Sequence, residues 1–145
     1  MSEEAGAGTE ILLVEDDPAD ALVITESFQA SRPGARFHLV PGADQAWRFL
    51  RREGEYALAP EPSLILLDLS LPGAHGLQFL AQVKADPHLR VIPLIVLSSS
   101  QRPSDVRRVY SLHANAYILK PPDYDGYAAV VRQIDACFLG LVETP

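Results

Sequence analysis

The stretch Ile11-Leu12-Leu13-Val14-Glu15-Asp16-Asp17-Pro18 decides how this chain is read. Consecutive apolar residues without polar alternation describe a strand covered on both faces, as in a parallel sheet with helices above and below it. Three acids follow at once. Asp17 is placed to cap a helix whose first position is Pro18, where the missing N–H costs nothing and φ is already helical. Asp20 adds an acidic first turn. Ala21, Ile24, Thr25 and Phe28 then share one face, and Pro33-Gly34 stops the helix.

This strand–helix unit recurs along the chain. Leu64-Ile65-Leu66-Leu67 and Leu94-Ile95-Val96-Leu97 are equally continuous apolar runs. Ala116-Tyr117-Ile118-Leu119 reads as a further strand, and Phe37-His38-Leu39-Val40 is closer to alternating and suits a sheet edge. Helical patterns lie between them. One runs roughly from Asp44 to Glu53, with Ala46, Trp47 and Leu50 apolar and Gly54 as its stop. Another runs roughly from Gly76 to Ala85, with Phe79, Leu80 and Val83 inward. A fourth starts near Pro103 and carries Val106, Val109, Tyr110 and His113 on one stripe. The last runs roughly from Asp123 to Val142 and buries Tyr127, Val130, Val131, Ile134, Phe138 and Leu141. Only the connection from Gly54 to Ser63, with Pro60 and Pro62, is long and irregular. Strand and helix alternate five times, which predicts an α/β fold with a doubly wound parallel sheet.

With 145 residues, 48% hydrophobic and 21% charged, the chain has the composition of one globular domain. Residues 1–9 read as a flexible N-terminal tail and 10–145 as the domain. The formal net charge of -7 and the lack of any Lys/Arg block longer than a pair argue against a nucleic-acid partner. There is no basic leader with an apolar core and no run long enough to span a membrane, so a cytoplasmic protein with no membrane partner is expected. The single cysteine, Cys137, excludes an internal disulfide and reads as a small hydrophobe buried in the last helix. His38, His75, His88 and His113 are scattered, with no pair at metal-ligand spacing.

In an open α/β sheet, ligands bind beyond the carboxyl ends of the strands. The residues just after each strand therefore belong together: Glu15, Asp16 and Asp17; Asp68; Ser98, Ser99 and Ser100; and Lys120. Each has an ordinary alternative, as a helix cap, a turn residue or a solvated lysine. Their joint placement raises a sharper possibility. Clustered carboxylates repel one another unless a cation lies among them. Mg²⁺ suits oxygen ligands, keeps several waters and accepts phosphate oxygens. An aspartate beside it is a plausible nucleophile toward phosphorus, with a lysine to offset charge on the phosphoryl group.

In combination, Leu13-Val14-Glu15-Asp16-Asp17, Leu66-Leu67-Asp68-Leu69-Ser70-Leu71-Pro72-Gly73 with Gly76 following, Pro93-Leu94-Ile95-Val96-Leu97-Ser98 and Tyr117-Ile118-Leu119-Lys120-Pro121 resemble the motifs of bacterial response-regulator receiver domains. The resemblance runs roughly from Glu10 to Val142. It implies a flavodoxin-like five-stranded sheet of order 2-1-3-4-5. It makes Asp68 the phosphorylated residue and Mg²⁺ the cofactor. Asp16 and Asp68 would hold the metal with the backbone carbonyl of Ser70, Glu15 acting mainly through water. Lys120 would contact phosphoryl oxygens. Ser98 would be the switch hydroxyl and Tyr117 the aromatic that follows it, and the Lys120–Pro121 bond would be cis. Serine stands at the switch position where threonine is commoner. Ser70 and Ser100 occupy positions that tune phosphoryl lifetime in this family.

The stretch from Val109 to Pro121 and the long loop before the third strand further resemble stand-alone receivers that partner with bacterial phytochrome histidine kinases. That likeness implies a histidine kinase as phosphoryl donor and a homodimer through the fourth helix, fifth strand and fifth helix. Leu139, off the main stripe of the last helix, belongs to an apolar arc that would serve such a contact or simply pack on the sheet. With no enzymatic output expected, a downstream protein would read the phosphorylated form, or the domain would drain phosphoryl groups from its kinase. Two other readings compete. A phosphatase or dehalogenase with an aspartate nucleophile usually carries a second Asp where this chain has Ser70. A static receiver-like binding or dimerisation module would usually have lost one of Glu15, Asp16, Asp68, Ser98 and Lys120.

Overall fold

A computed structural model describes residues 8–69 and 74–140. The elements run β1 (Glu10–Val14), α1 (Pro18–Ser31), β2 (Arg36–Val40), α2 (Ala43–Arg51), β3 (Leu64–Asp68), α3 (Ala74–Ala85), β4 (Leu94–Ser98), α4 (Pro103–Ser111), β5 (Ala116–Leu119) and α5 (Tyr124–Ile134). Short 3₁₀ turns at Gly54–Tyr56 and Leu89–Val91 lead into β3 and β4, and a π-helical turn at Asp135–Gly140 extends α5. All strand pairs are parallel and the sheet order is β2-β1-β3-β4-β5, as the resemblance implied. The expected tail, residues 1–9, falls mostly outside the described residues.

The unbroken apolar runs are explained by two cores, one on each face. Leu12, Val14, Ile65, Leu67, Leu94 and Val96 point toward α2, α3 and α4, where Phe49, Phe79, Leu80, Val83 and Val109 meet them. Ile11, Leu13, Leu64, Leu66, Ile95 and Leu97 point the other way, onto Ala21, Ile24 and Phe28 of α1 and Tyr127, Val131 and Ile134 of α5. Alternate residues of a strand thus serve opposite layers, and no polar position can be spared.

Four local expectations are corrected. The second helix ends at Arg52 rather than Gly54: Arg52 adopts a left-handed conformation (φ 56°) and its N–H returns to the carbonyls of Arg48 and Phe49. Of the α4 stripe only Val109 is buried, because the helix stops at Ser111 and His113 lies past it at φ 73°. Cys137 is exposed. The π turn widens the repeat after Ile134, so Asp135 turns inward and Cys137 outward. Asp135 there accepts hydrogen bonds from Arg32 Nε (2.8 Å) and the Ser31 hydroxyl (2.6 Å), tying α5 to the end of α1. Finally, the Lys120–Pro121 bond is trans, the form an X–Pro bond favours by about 0.5–1 kcal/mol.

Candidate functional site

Strand register builds the site. Val14 pairs with Leu67, Asp68 with Leu97, and Ser98 with Leu119. Glu15, Asp68, Ser98 and Lys120 therefore leave the sheet side by side on one rim. Asp68 closes β3 and is 1% exposed; Ser98 closes β4 and is 5% exposed. Asp17 does cap α1, its Oδ1 accepting from the N–H groups of Ala19 (2.9 Å) and Asp20 (3.4 Å). The Asp17 N–H in turn donates to Glu15 Oε1 at 3.1 Å, which fixes the Glu15 side chain.

Glu15, Asp16 and Asp68 each present a carboxylate oxygen, and the three atoms lie within 4.8 Å of one another. Glu15 and Asp68 are buried while Asp16 faces solvent. Burial, then the hydrogen bond and charge of Asp68, push the Glu15 carboxyl up to about 8, against the opposing pull of the Asp17 N–H and Lys120. A buried carboxyl that keeps its proton because a second carboxylate lies against it marks a shortage of positive charge. An oxygen-only donor set of this kind fits a hard divalent cation. The metal-ligand role expected for the Ser70 carbonyl lies outside the described residues.

Lys120 supplies the positive charge present. Its Nζ lies 2.9 Å from Asp68 Oδ2, 3.3 Å from Asp20 Oδ2 and 3.5 Å from Glu15 Oε2. Burial pulls its pKa down, but Asp68 above all, with Glu15 and Asp20, outweighs burial and holds the ammonium protonated well above its usual range. Two features place this lysine. The Lys120 N–H donates to the Ser98 carbonyl at 2.8 Å. Gly126, in the first turn of α5, sits where a Cβ would come within 2.6 Å of Pro121 Cβ, so only glycine lets α5 close on the segment after β5.

Ser98 and Tyr117 are linked through Ser100. The Ser100 N–H donates to Ser98 Oγ (3.1 Å), and the Tyr117 hydroxyl donates to the Ser100 carbonyl (2.7 Å). The Ser100 hydroxyl donates to Asp105 Oδ2 at 2.5 Å, anchoring the loop to the start of α4. Leu69, Leu77, Ser98, Val109 and Tyr117 line part of a cavity of about 260 Å³ at this place. The sequence reading grouped Ser100 with the strand-end residues and with the positions that tune phosphoryl lifetime, whereas Asp20 was placed only in a helix turn and given no part in the site. The available signal for Asp20 was its place in the first turn of the helix that follows the acidic cluster.

A family model described as the response regulator receiver domain matches residues 11–132. The response regulator Rcp1 of Synechocystis sp. is 37% identical over 145 residues, covering 100% of this chain and 99% of its own. Among solved structures, the phosphorylated cyanobacterial phytochrome response regulator RcpA superposes with a TM-score of 0.87 at 39% identity, covering 94% of this chain and 98% of that one. The Mn²⁺-bound form of Rcp1 gives 0.84 at 36% identity, covering 94% and 99%. No helix among the described residues is long and apolar enough to cross a membrane. The buried aspartate at the end of β3, the acids after β1 and the lysine after β5 thus occur in a chain whose fold and sequence match over nearly their full length, and it belongs to the response regulator receiver domain family.

Proposed function

We propose that Asp68 is the phosphoryl acceptor of a two-component system, taking the group from a phosphohistidine of a histidine kinase, and of a phytochrome-type kinase in particular. The observation that carries this reading is the approach of Lys120 Nζ to 2.9 Å from a buried Asp68 that shares its pocket with Glu15 and Asp16. The likeness to RcpA and Rcp1 supports the kinase type.

In the proposed transfer an Asp68 carboxylate oxygen attacks phosphorus while the P–N bond to the donor imidazole breaks, its electron pair leaving with the nitrogen. Asp16 and Asp68, with Glu15 acting mainly through water and the Ser70 carbonyl, would hold Mg²⁺, which supplies charge neutralisation for the phosphoryl oxygens when bound. Lys120 would donate an N–H to those oxygens. The new group then draws the Ser98 hydroxyl toward it, Ser98 releases the Ser100 N–H, and Tyr117 and the α4–β5–α5 surface adjust to the freed loop. That surface carries exposed Tyr110, Leu119 and Tyr124, which suits the proposed homodimer or a downstream protein. Signalling by contact, or drainage of phosphoryl groups, is the output in place of an enzymatic one.

Intact mass after incubation with acetyl phosphate, with Mg²⁺ or with chelator, tests the proposal. Wild type should gain one phosphoryl group only with Mg²⁺, and Asp68→Asn should gain none. No gain from acetyl phosphate or from a phosphorylated cognate kinase would overturn it in favour of a static binding module.

A further inference from the structure

The ammonium of Lys120 has three N–H donors and no capacity to accept. All three face carboxylates: Asp68 at 2.9 Å, Asp20 at 3.3 Å and Glu15 at 3.5 Å. A phosphoryl group arriving on Asp68 needs one of them, so a partner must let go. Glu15, with a side chain 0% exposed, has no water to turn to. Asp20 is different. Its side chain is 37% exposed, and it stands on the first turn of α1 rather than in the acidic cluster itself. It also lies close enough to the buried Tyr127 to hold that phenol's pKa up, after burial, so it faces the rim from between α1 and α5.

We propose that Asp20 is a positioning residue that restrains phosphoryl transfer by occupying Lys120. It holds the lysine in place before transfer and must surrender it during transfer. The proposal rests on Asp68 being the acceptor. With acetyl phosphate the step is attack of an Asp68 oxygen on phosphorus, with acetate leaving and keeping the electron pair of the broken P–O bond. Asp20 touches none of these atoms and acts through the lysine.

The test is the initial phosphorylation rate by acetyl phosphate, in saturating Mg²⁺, followed by intact mass on the full chain. Asp20→Asn should react about two- to fivefold faster, the range that one partly exposed ion pair supplies. Asp20→Glu should stay near wild type. The decisive arm is a double-mutant cycle: in a Lys120→Ala background, slow but measurable, Asp20→Asn should change the rate by less than about 1.5-fold, since the two residues would act as one unit. Melting curves for each variant confirm that the fold is intact. An Asp20→Asn rate equal to or below wild type overturns the proposal. So does an acceleration that survives loss of Lys120, which would mean simple repulsion of the donor. A wild type that takes no phosphoryl group defeats the reading of Asp68 itself and is recognisable as such, because no variant would then react.

Discussion

Without metal, this protein should become less stable as pH rises from about 5 to 8, and Mg²⁺ should reverse the loss while expelling a proton. Glu15 is the cause. Its carboxyl is pushed from 4.5 to about 8 by burial and by Asp68. A group whose pKa is raised on folding adds stability below its unfolded value, and that contribution is gone once pH has passed its folded value. At 1.36 kcal/mol per pKa unit the loss is about 5 kcal/mol in all, of which roughly 3–4 kcal/mol falls between pH 5 and 8, a large share of the 5–15 kcal/mol typical of a domain. For a chain of this size that corresponds to a melting temperature lower by about 10–20 °C. Glu10 has the opposite sign: burial would raise it, but Arg36 and His38 hold it lower, so its loss falls below pH 4.5 and outside the window.

The assay is a set of thermal melts in chelator at pH 5, 6, 7 and 8, repeated with excess Mg²⁺. Calorimetric titration of Mg²⁺ in two buffers of different ionisation enthalpy counts the protons released, expected near one below pH 8 because metal ligands bind deprotonated. Glu15→Gln, neutral at every pH, should remove most of the slope. Flat melts across the window, or an unchanged slope in Glu15→Gln, would refute the reasoning.

Two further outcomes follow from packing. Gly126→Ala drives a methyl group to 2.6 Å from Pro121 Cβ and 3.1 Å from Asp123 Oδ1; overpacking of this kind costs about 1–3 kcal/mol, and by shifting Lys120 it should also slow phosphorylation, both readable from melts and intact mass. Asp135→Ala removes the partner of Arg32 and Ser31 at the far end of α1, and should lower stability by about 1.5–3 kcal/mol in denaturant titration while leaving the phosphorylation rate at the wild-type level.

The sheet was legible because its three central strands, β1, β3 and β4, are buried on both faces, which forces runs such as Leu64–Leu67 that admit no helix of useful length. The start of α1 was legible because Asp17 and Pro18 are local signals. Two of the errors, at Cys137 and Tyr110, lie where tertiary contact overrides local pattern. Arg52 ends α2 because the chain must turn there, although Gly54 nearby is the better turn former. Cys137 is exposed because Asp135 is drawn to Arg32 from over a hundred residues away in sequence, at the cost of α-helical register. Tyr110 reads as a core residue by spacing, yet it is exposed with its hydroxyl accepting the Tyr117 N–H at 3.0 Å. The rim residues Glu15, Asp68, Ser98 and Lys120 were readable as strand-end residues. Ser100 was placed with them, though not its link to Tyr117; Asp20 was not, since its contact runs to Lys120, a hundred residues away in sequence.

Charge balance separates this rim from an ordinary acidic edge. Three carboxyl groups, Glu15, Asp20 and Asp68, surround one ammonium with Asp16 beside them, and two of them, Glu15 and Asp68, are sealed from water. Burial and Asp68 favour the protonated form of Glu15, which relieves part of the repulsion where no cation is bound. Adding an anionic phosphoryl group to such a site is opposed by the carboxylates that remain ionised, and Lys120 is already fully engaged. Transfer therefore requires positive charge from elsewhere, at the place where the three oxygens lie within 4.8 Å. On this view metal dependence follows from a deficit built into the fold, and Asp20, the partly exposed member, is the one whose neutralisation reduces that deficit without dismantling the acceptor.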